Sequence, residues 1–247
     1  MSSLRPPPPH TTPHTTHHHG AATEAIESAA AIATGNLSIL APQQLVSCAT
    51  NPDQCGGTGG CSGSIPSIAF DYTIKAGGLS LDATYPYVHQ PTPCNAADVK
   101  PVVGIKGHVD LPNNNATLLM HALTIGPVTI SVAANWAAYE GGVFDGPHGK
   151  PCGYEVDHAV VVVGYGTDNA TKLNYWTIRN SWTPQWGEKG YMRILRAADG
   201  EAEPCGMDEN PGHGVACKNQ TAPIRYCGTC GLLALSSYPT GAFNVPV

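Results

Sequence analysis

The change of texture near residue 102 constrains the fold of this chain more than any other feature. Before it, "ATEAIESAAAIATGN", "LAPQQLVSC" and "SIPSIAFDYTIKAGG" read as three helices. The first spans about Ala22–Thr34, with Glu24 and Glu27 near its positive end and Gly35-Asn36 as its stop. The other two cover 40–48 and 64–78, the last closed by Gly77-Gly78. After residue 102 come short runs rich in β-branched and aromatic residues: "VVGIKGHVDL", "GPVTISVAA", "DHAVVVVGYG", "NYWTIRNSW" and "GYMRILRA". One further helix is expected at 115–125. Helices followed by strands, without β-α alternation, predict an α+β fold in two lobes.

Several function classes fall away on composition. A net charge of −6 with only 12 Lys+Arg leaves no basic stripe for phosphates, so neither nucleic acid nor an anionic membrane surface is an expected partner. The longest apolar run, "AVVVVGY", is far shorter than the roughly 20 residues of a membrane span. Nine cysteines without paired C-x-x-C knuckles predict a disulfide framework, with at least one thiol left over. Sequons at Asn36, Asn115, Asn169 and Asn219 agree with a secreted or lysosome- or vacuole-like compartment. Residues 1–20, "MSSLRPPPPHTTPHTTHHHG", have no apolar core and are not a signal peptide. They are expected to be a disordered low-complexity tail whose histidines make too weak a ligand set for a metal site, and no cofactor is expected.

Chemistry concentrates in the second half. His158 stands where a buried strand begins, and Asn180 precedes Trp182 in "RNSW". A proton-shuttling imidazole needs its tautomer and orientation fixed. An Asn amide oxygen does so without adding charge, and an indole over the pair keeps the hydrogen bond dry.

These stretches resemble the papain-like (cathepsin-type) cysteine proteases. The likeness runs from about residue 21 to 240 through "LAPQQLVSC", "GGCSGS", "YPY", "GPVTISVAA", "YEGGVF", "DHAVVVVGYG", "YWTIRNSWTPQWGEKGYMRI" and "CGLLALSSYP". It implies a helical left lobe (21–107), a β-rich, barrel-like right lobe (108–247) and a cleft between them, together one peptidase domain. It also implies His158 as general base and acid, Asn180 as its orienter and Trp182 as shield. Cys48 is implied to pair with Cys94, and Cys152 with Cys230. Ile65, Pro66, Ser131, Val156 and Leu235 match positions of the family's main specificity pocket, which here suits an aliphatic or aromatic side chain. Residues 205–227 look like an insertion. The pairing of Cys55, Cys205, Cys217 and Cys227 stays open.

The pattern breaks at the nucleophile. A papain-like thiolate sits at a helix N-terminus about 130–150 residues before the histidine, which places it between about residues 8 and 28. No cysteine lies there. The helix register puts His17 at the nucleophile position and His18 at the following Trp, and the oxyanion Gln is absent as well. Cys48 and Cys61, 110 and 97 residues before His158, match structural cysteines of the family and not its nucleophile. Cys61 is expected to be the odd thiol, since its family partner would lie in the missing segment. Two expectations follow: a cysteine endopeptidase from an incomplete gene model, inactive as written, or a pseudoprotease that binds peptides or a partner without cutting them. A monomer with a peptide or protein substrate, and an inhibitory propeptide outside this chain, completes the expectation.

Overall fold

The structure is a computed structural model that describes residues 17–147 and 151–246, with side chains from residue 20 onward. Its first element is α1 (His17–Thr34), which begins five residues before the expected Ala22. The last residues of the expected tail are therefore helical, while residues 1–16 lie outside the described residues. Ala22, Ala25, Ile26 and Ala30 recur at three- and four-residue spacing and are all fully buried. They give α1 one thin apolar face that packs closely on its neighbours.

Two shorter helices complete the helical lobe. Both α2 (Pro42–Cys48) and α3 (Pro66–Lys75) open with proline, whose fixed φ and missing N–H suit a first helical turn. Gly77 and Gly78 then turn the chain with positive φ, and a Cβ on Gly78 would collide with the Val103 carbonyl. Leu40, Leu45, Phe70, Leu79, Val103 and Ile105 join the α1 face in one core.

The β-rich lobe is built on a seven-stranded sheet. Its strands in chain order are β2 (Gly107–Asp110), β3 (Val128–Val132), β4 (Val143–Phe144), β5 (His158–Thr167), β6 (Asn174–Arg179), β7 (Tyr191–Leu195) and β10 (Ala234–Thr240). They lie in the order β2-β10-β3-β5-β6-β7-β4, antiparallel throughout except β4 with β7. The core of this lobe gathers Val128, Ile130, Val160, Val162, Trp176 and Ile178 with Leu119 of α4 (Ala116–Leu123). Asn115 caps α4, its Oδ1 accepting from Leu118 N–H at 2.9 Å. Two small pairs lie outside the main sheet. β1 (Val103–Gly104) pairs with β11 (Phe243–Asn244), and β8 (Cys205–Asp208) with β9 (Ile224–Cys227). The result is an α+β, two-lobed architecture.

Four disulfides close the molecule. Cys48–Cys94 and Cys152–Cys230 are present as the resemblance implied. Cys55–Cys217 and Cys205–Cys227 supply the pairings that sequence reading left open, and Cys61 is the free thiol.

Candidate active site

His158 is the first residue of β5, and Asn180 follows directly on the last residue of β6, its antiparallel neighbour. The pairing of these strands thus brings the two side chains together. His158 is 1% exposed and Asn180 5%, and His158 Nε2 lies 3.0 Å from Asn180 Oδ1. The same Oδ1 accepts from Ser181 N–H at 2.9 Å. Because a backbone N–H can only donate, the shared atom is the amide oxygen and His158 Nε2 carries the proton. In the neutral ring the lone pair is then on Nδ1, which is the state a general base requires. Asn180 is itself held through its backbone N–H, donated to Gly190 O at 3.0 Å.

Indoles cover the pair. Trp182 lies 5.4 Å from the His158 ring, tilted by 35°, and Trp136 stands edge-on at 6.4 Å. Trp186 packs against Trp182 at 5.2 Å and Trp136 at 6.5 Å, beside the two indoles that meet the His158 ring. Sequence reading missed the part played by Trp136. Its only signal was a tryptophan shortly after a buried strand, which by itself is compatible with any core position.

The start of α1 abuts this pair. Ala21 is buried with Ala159 and Val161 of β5, and a Cβ built on Gly20 would lie 3.9 Å from Ser181 Cβ. His17 is the first residue of that helix; its side chain, like that of His18, lies outside the described residues. One turn further on, Glu24 Oε2 meets Arg179 Nη1 at 2.8 Å, which ties α1 to the residue before Asn180. Burial pushes the Glu24 carboxyl up to about 7, against the pull of Arg179. Cys61 sits in the helical lobe, in a single 3-10 turn, and burial raises its thiol, the opposite of what an activated nucleophile needs.

The residues matched to the specificity pocket are brought together in part. Ile65, Val156 and Leu235 share one apolar cluster with Val215, Tyr226, Ala234, Tyr154 and Ile224. Ser131 is fully buried beside them, paired with Ala159 and Ala234 across the sheet. Pro66 is buried at the start of α3. A cavity of about 460 Å³ remains between the lobes next to Asp157. A larger one, about 750 Å³, lies on the helical lobe around Cys48, Cys94, Ile68 and Tyr72, and none of the residues matched to the site lines it. Among the described residues no group of three His, Cys, Asp or Glu could hold a metal ion, and no helix is long and apolar enough to cross a membrane.

A buried His–Asn pair under tryptophan, facing the start of a helix between a helical and a β-rich lobe, defines the class of thiol peptidases with a two-lobed fold. The family model for papain family cysteine proteases matches residues 18–215, and the chain belongs to that family. It is 41% identical over 190 residues to Cysteine protease 1 of Oryza sativa subsp. japonica, covering 75% of this chain and 37% of that protein. With Cysteine proteinase EP-B 1 of Hordeum vulgare it shares 39% over 210 residues, 82% of this chain and 54% of the relative. The chain thus spans roughly a third to a half of the length of the curated relatives it matches. Among solved structures, bromelain from Ananas comosus in complex with the E64 inhibitor superposes with a TM-score of 0.73 at 31% identity, covering 93% of this chain and 90% of that one. The proform of the ragweed pollen allergen Amb a 11 gives a TM-score of 0.71 at 33% identity, over 91% of this chain and 58% of that one.

Proposed function

We propose that this chain carries the proton-transfer machinery of a papain-type cysteine endopeptidase, and that the polypeptide as written does not cleave peptides. The observation that carries the reading is the 3.0 Å His158–Asn180 contact, buried beneath Trp182 at the start of α1. In the complete reaction a thiolate attacks the peptide carbonyl and His158 gives its proton to the leaving amine. The same imidazole then activates the water that hydrolyses the thioester. Asn180 holds the ring in the reactive tautomer through both charge states, and Trp182 keeps water off the hydrogen bond. Position 17 offers an imidazole where the thiolate belongs, so no acyl-enzyme forms.

We take the two lobes as 21–107 and 108–247 and read the cleft between them as lying at this pair. The four disulfides support a secreted or vacuole-like compartment. A peptide or protein is the expected occupant of the cleft and an inhibitory propeptide a further one, with the chain acting as a monomer. A second reading, binding without cleavage, is supported by the open interlobe cavity beside Asp157, which persists although the nucleophile position is histidine.

The test compares the chain with His17→Cys and His17→Cys/His158→Ala on an activated ester and a fluorogenic peptide amide. The unmodified chain should hydrolyse neither and should form no covalent adduct with E64. His17→Cys should turn over the ester, weakened by roughly 10²–10³ for the missing oxyanion donor, and the double variant should not. Equal turnover by the two variants would remove His158 from the role of base. An E64 adduct on Cys61 in the unmodified chain would overturn the inactive reading.

A further inference from the structure

Residues 205–227 form a strap with a defined neck and a defined anchor. The neck is the β8–β9 pair, closed by Cys205–Cys227 at directly opposed positions. The tip reaches the other lobe, where Cys217 is bonded to Cys55, 162 residues away in sequence. Three hydrogen bonds accompany that link: Gly56 N–H to Ala216 O at 3.3 Å, Lys218 N–H to Asp53 O at 3.0 Å, and Lys218 Nζ to Pro52 O at 2.9 Å. The anchor loop is braced in turn by Asn51, which donates to the carbonyls of Cys55 and Gly57 and accepts from Cys55 N–H. A surface loop of ordinary function needs no such fastening across a cleft.

Between neck and anchor the strap turns inward. Val215 is 2% exposed, and its N–H donates to Val156 O at 3.0 Å. The approach is so close that a Cβ on Gly214 would collide with that same carbonyl. Val215 thereby lies in the apolar cluster that includes Ile65, Val156 and Leu235, three of the five residues matched to the specificity pocket. The cavity left alongside is lined by Gly56 and Gly57 of one lobe, Asp157 of the other, and Gly212 and Gly214 of the strap. Gln54, Thr58, Ser62, His213 and Lys218 stand among those glycines, so the cavity offers polar groups of both lobes and of the strap to a peptide main chain.

Resting on the peptide-cleft reading above, we propose that the strap is a built-in plug of the specificity pocket. Val215 occupies the space that a substrate's aliphatic or aromatic side chain would take, and the chain accepts peptides with glycine or alanine at that position. Cys55–Cys217 keeps the plug seated. Forcing a larger side chain against Val215 overfills a packed cluster, and even one methylene in such a pocket changes selection by roughly 10–200-fold.

The experiment titrates the oxidised chain with acetyl-Gly-Xaa-Gly-amides in which Xaa is Gly, Ala, Leu or Phe, following the His158 ring protons and Val156 methyls by NMR. The Ala peptide should bind at least about tenfold more tightly than the Leu and Phe peptides. Val215→Ala and Cys55→Ala/Cys217→Ala should each raise Leu binding by about tenfold or more. Amide exchange at Val215 and Gly56 should quicken in the double variant, with β5 and β6 still protected. Leu or Phe binding as well as Ala to the unmodified chain, or a ranking unchanged in both variants, would overturn the plug. Unchanged exchange at Val215 and Gly56 would overturn the disulfide's part in it. If no peptide perturbs His158 in any form, it is the peptide-cleft reading that fails, whatever the exchange data show.

Discussion

Glu24 should make this protein lose stability as the pH rises from acidic to mildly alkaline. The carboxyl is largely buried in α1 and its folded pKa is pushed up from 4.5 to about 7, by desolvation first, with Arg179 pulling the other way and Glu27 adding to the rise. A raised folded pKa means that the native state holds the proton more tightly than the unfolded chain. The stabilisation is therefore complete below the unfolded value and is lost as pH climbs through the folded one. At about 1.4 kcal/mol per unit, the shift is worth about 3 kcal/mol between pH 4 and pH 8. For a chain of this size that corresponds to roughly 6–12 °C in Tm. Glu24→Gln keeps the shape and removes the titration, so against wild type it should gain about 3 kcal/mol over that interval. Burial also raises Glu203, which acts in both proteins and cancels in the comparison, and Glu27, whose coupling to Glu24 leaves a smaller part that does not cancel. The assay is urea unfolding at pH 4, 6 and 8, read by the fluorescence of the buried Trp136 and Trp176. Parallel pH curves for wild type and Glu24→Gln would refute the reasoning. So would a wild type that gains on the variant with rising pH, the result expected if attraction to Arg179 outweighed the cost of burying the charge.

Gly214→Ala places a methyl group against the Val156 carbonyl; it should unseat the strap and quicken amide exchange at Val215 without slowing or unfolding the β5–β6 pair. Ile26→Ala empties a fully buried position in the helical lobe and should cost about 2–5 kcal/mol in urea unfolding. Asn115→Ala removes the cap on Leu118 N–H and should cost about 1 kcal/mol, read in the same experiment. Asp168, held at about 2 by Thr171 and then Arg193, stabilises the fold above the usual carboxylate range and loses that effect as pH falls toward 2. Asp168→Asn should therefore flatten the acid limb of the stability curve, measured from pH 4 down to pH 2.

Periodicity located the elements and left their ends open. α1 could be read from Ala22 because its alanines repeat at helical spacing, while His17–Gly20 carry no such signal and are helical where the first turn packs on β5 and Ser181. The alternation into strands after residue 102 was equally visible, since β-branched runs as dense as "AVVVV" suit a buried sheet and little else. His158 and Asn180 were legible as residues, but their meeting depends on the β5–β6 register, a long-range fact that local pattern does not contain. Trp136 was missed for the same reason, as it reaches the site only through the fold. The disulfides divide along this line as well. Two pairs followed from family likeness, whereas Cys55–Cys217 joins the 205–227 strap to the opposite lobe, and neither spacing nor likeness could place it.

The cleft is spanned by three kinds of contact at once, and they differ in what loosens them. The contact of Ala21 in α1 with Ala159 and Val161 of β5 is apolar and insensitive to pH. The Glu24–Arg179 contact strengthens as the carboxyl ionises, while the burial of the new charge costs more than that attraction returns. The Cys55–Cys217 bond, with Lys218 and Gly56 beside it, yields only to chemistry or to substitution. Because α1 begins at the position matched to the nucleophile and Arg179 immediately precedes Asn180, the first two contacts set the distance between the helix start and His158. The third sets what enters beside them. A variant that perturbs Glu24 should therefore alter the His17→Cys reaction through its pH profile and leave the peptide ranking alone. A variant at Val215 should do the reverse, and a Glu24→Gln protein that reordered the Gly, Ala, Leu and Phe peptides would show that the two halves of the cleft are not separable in this way.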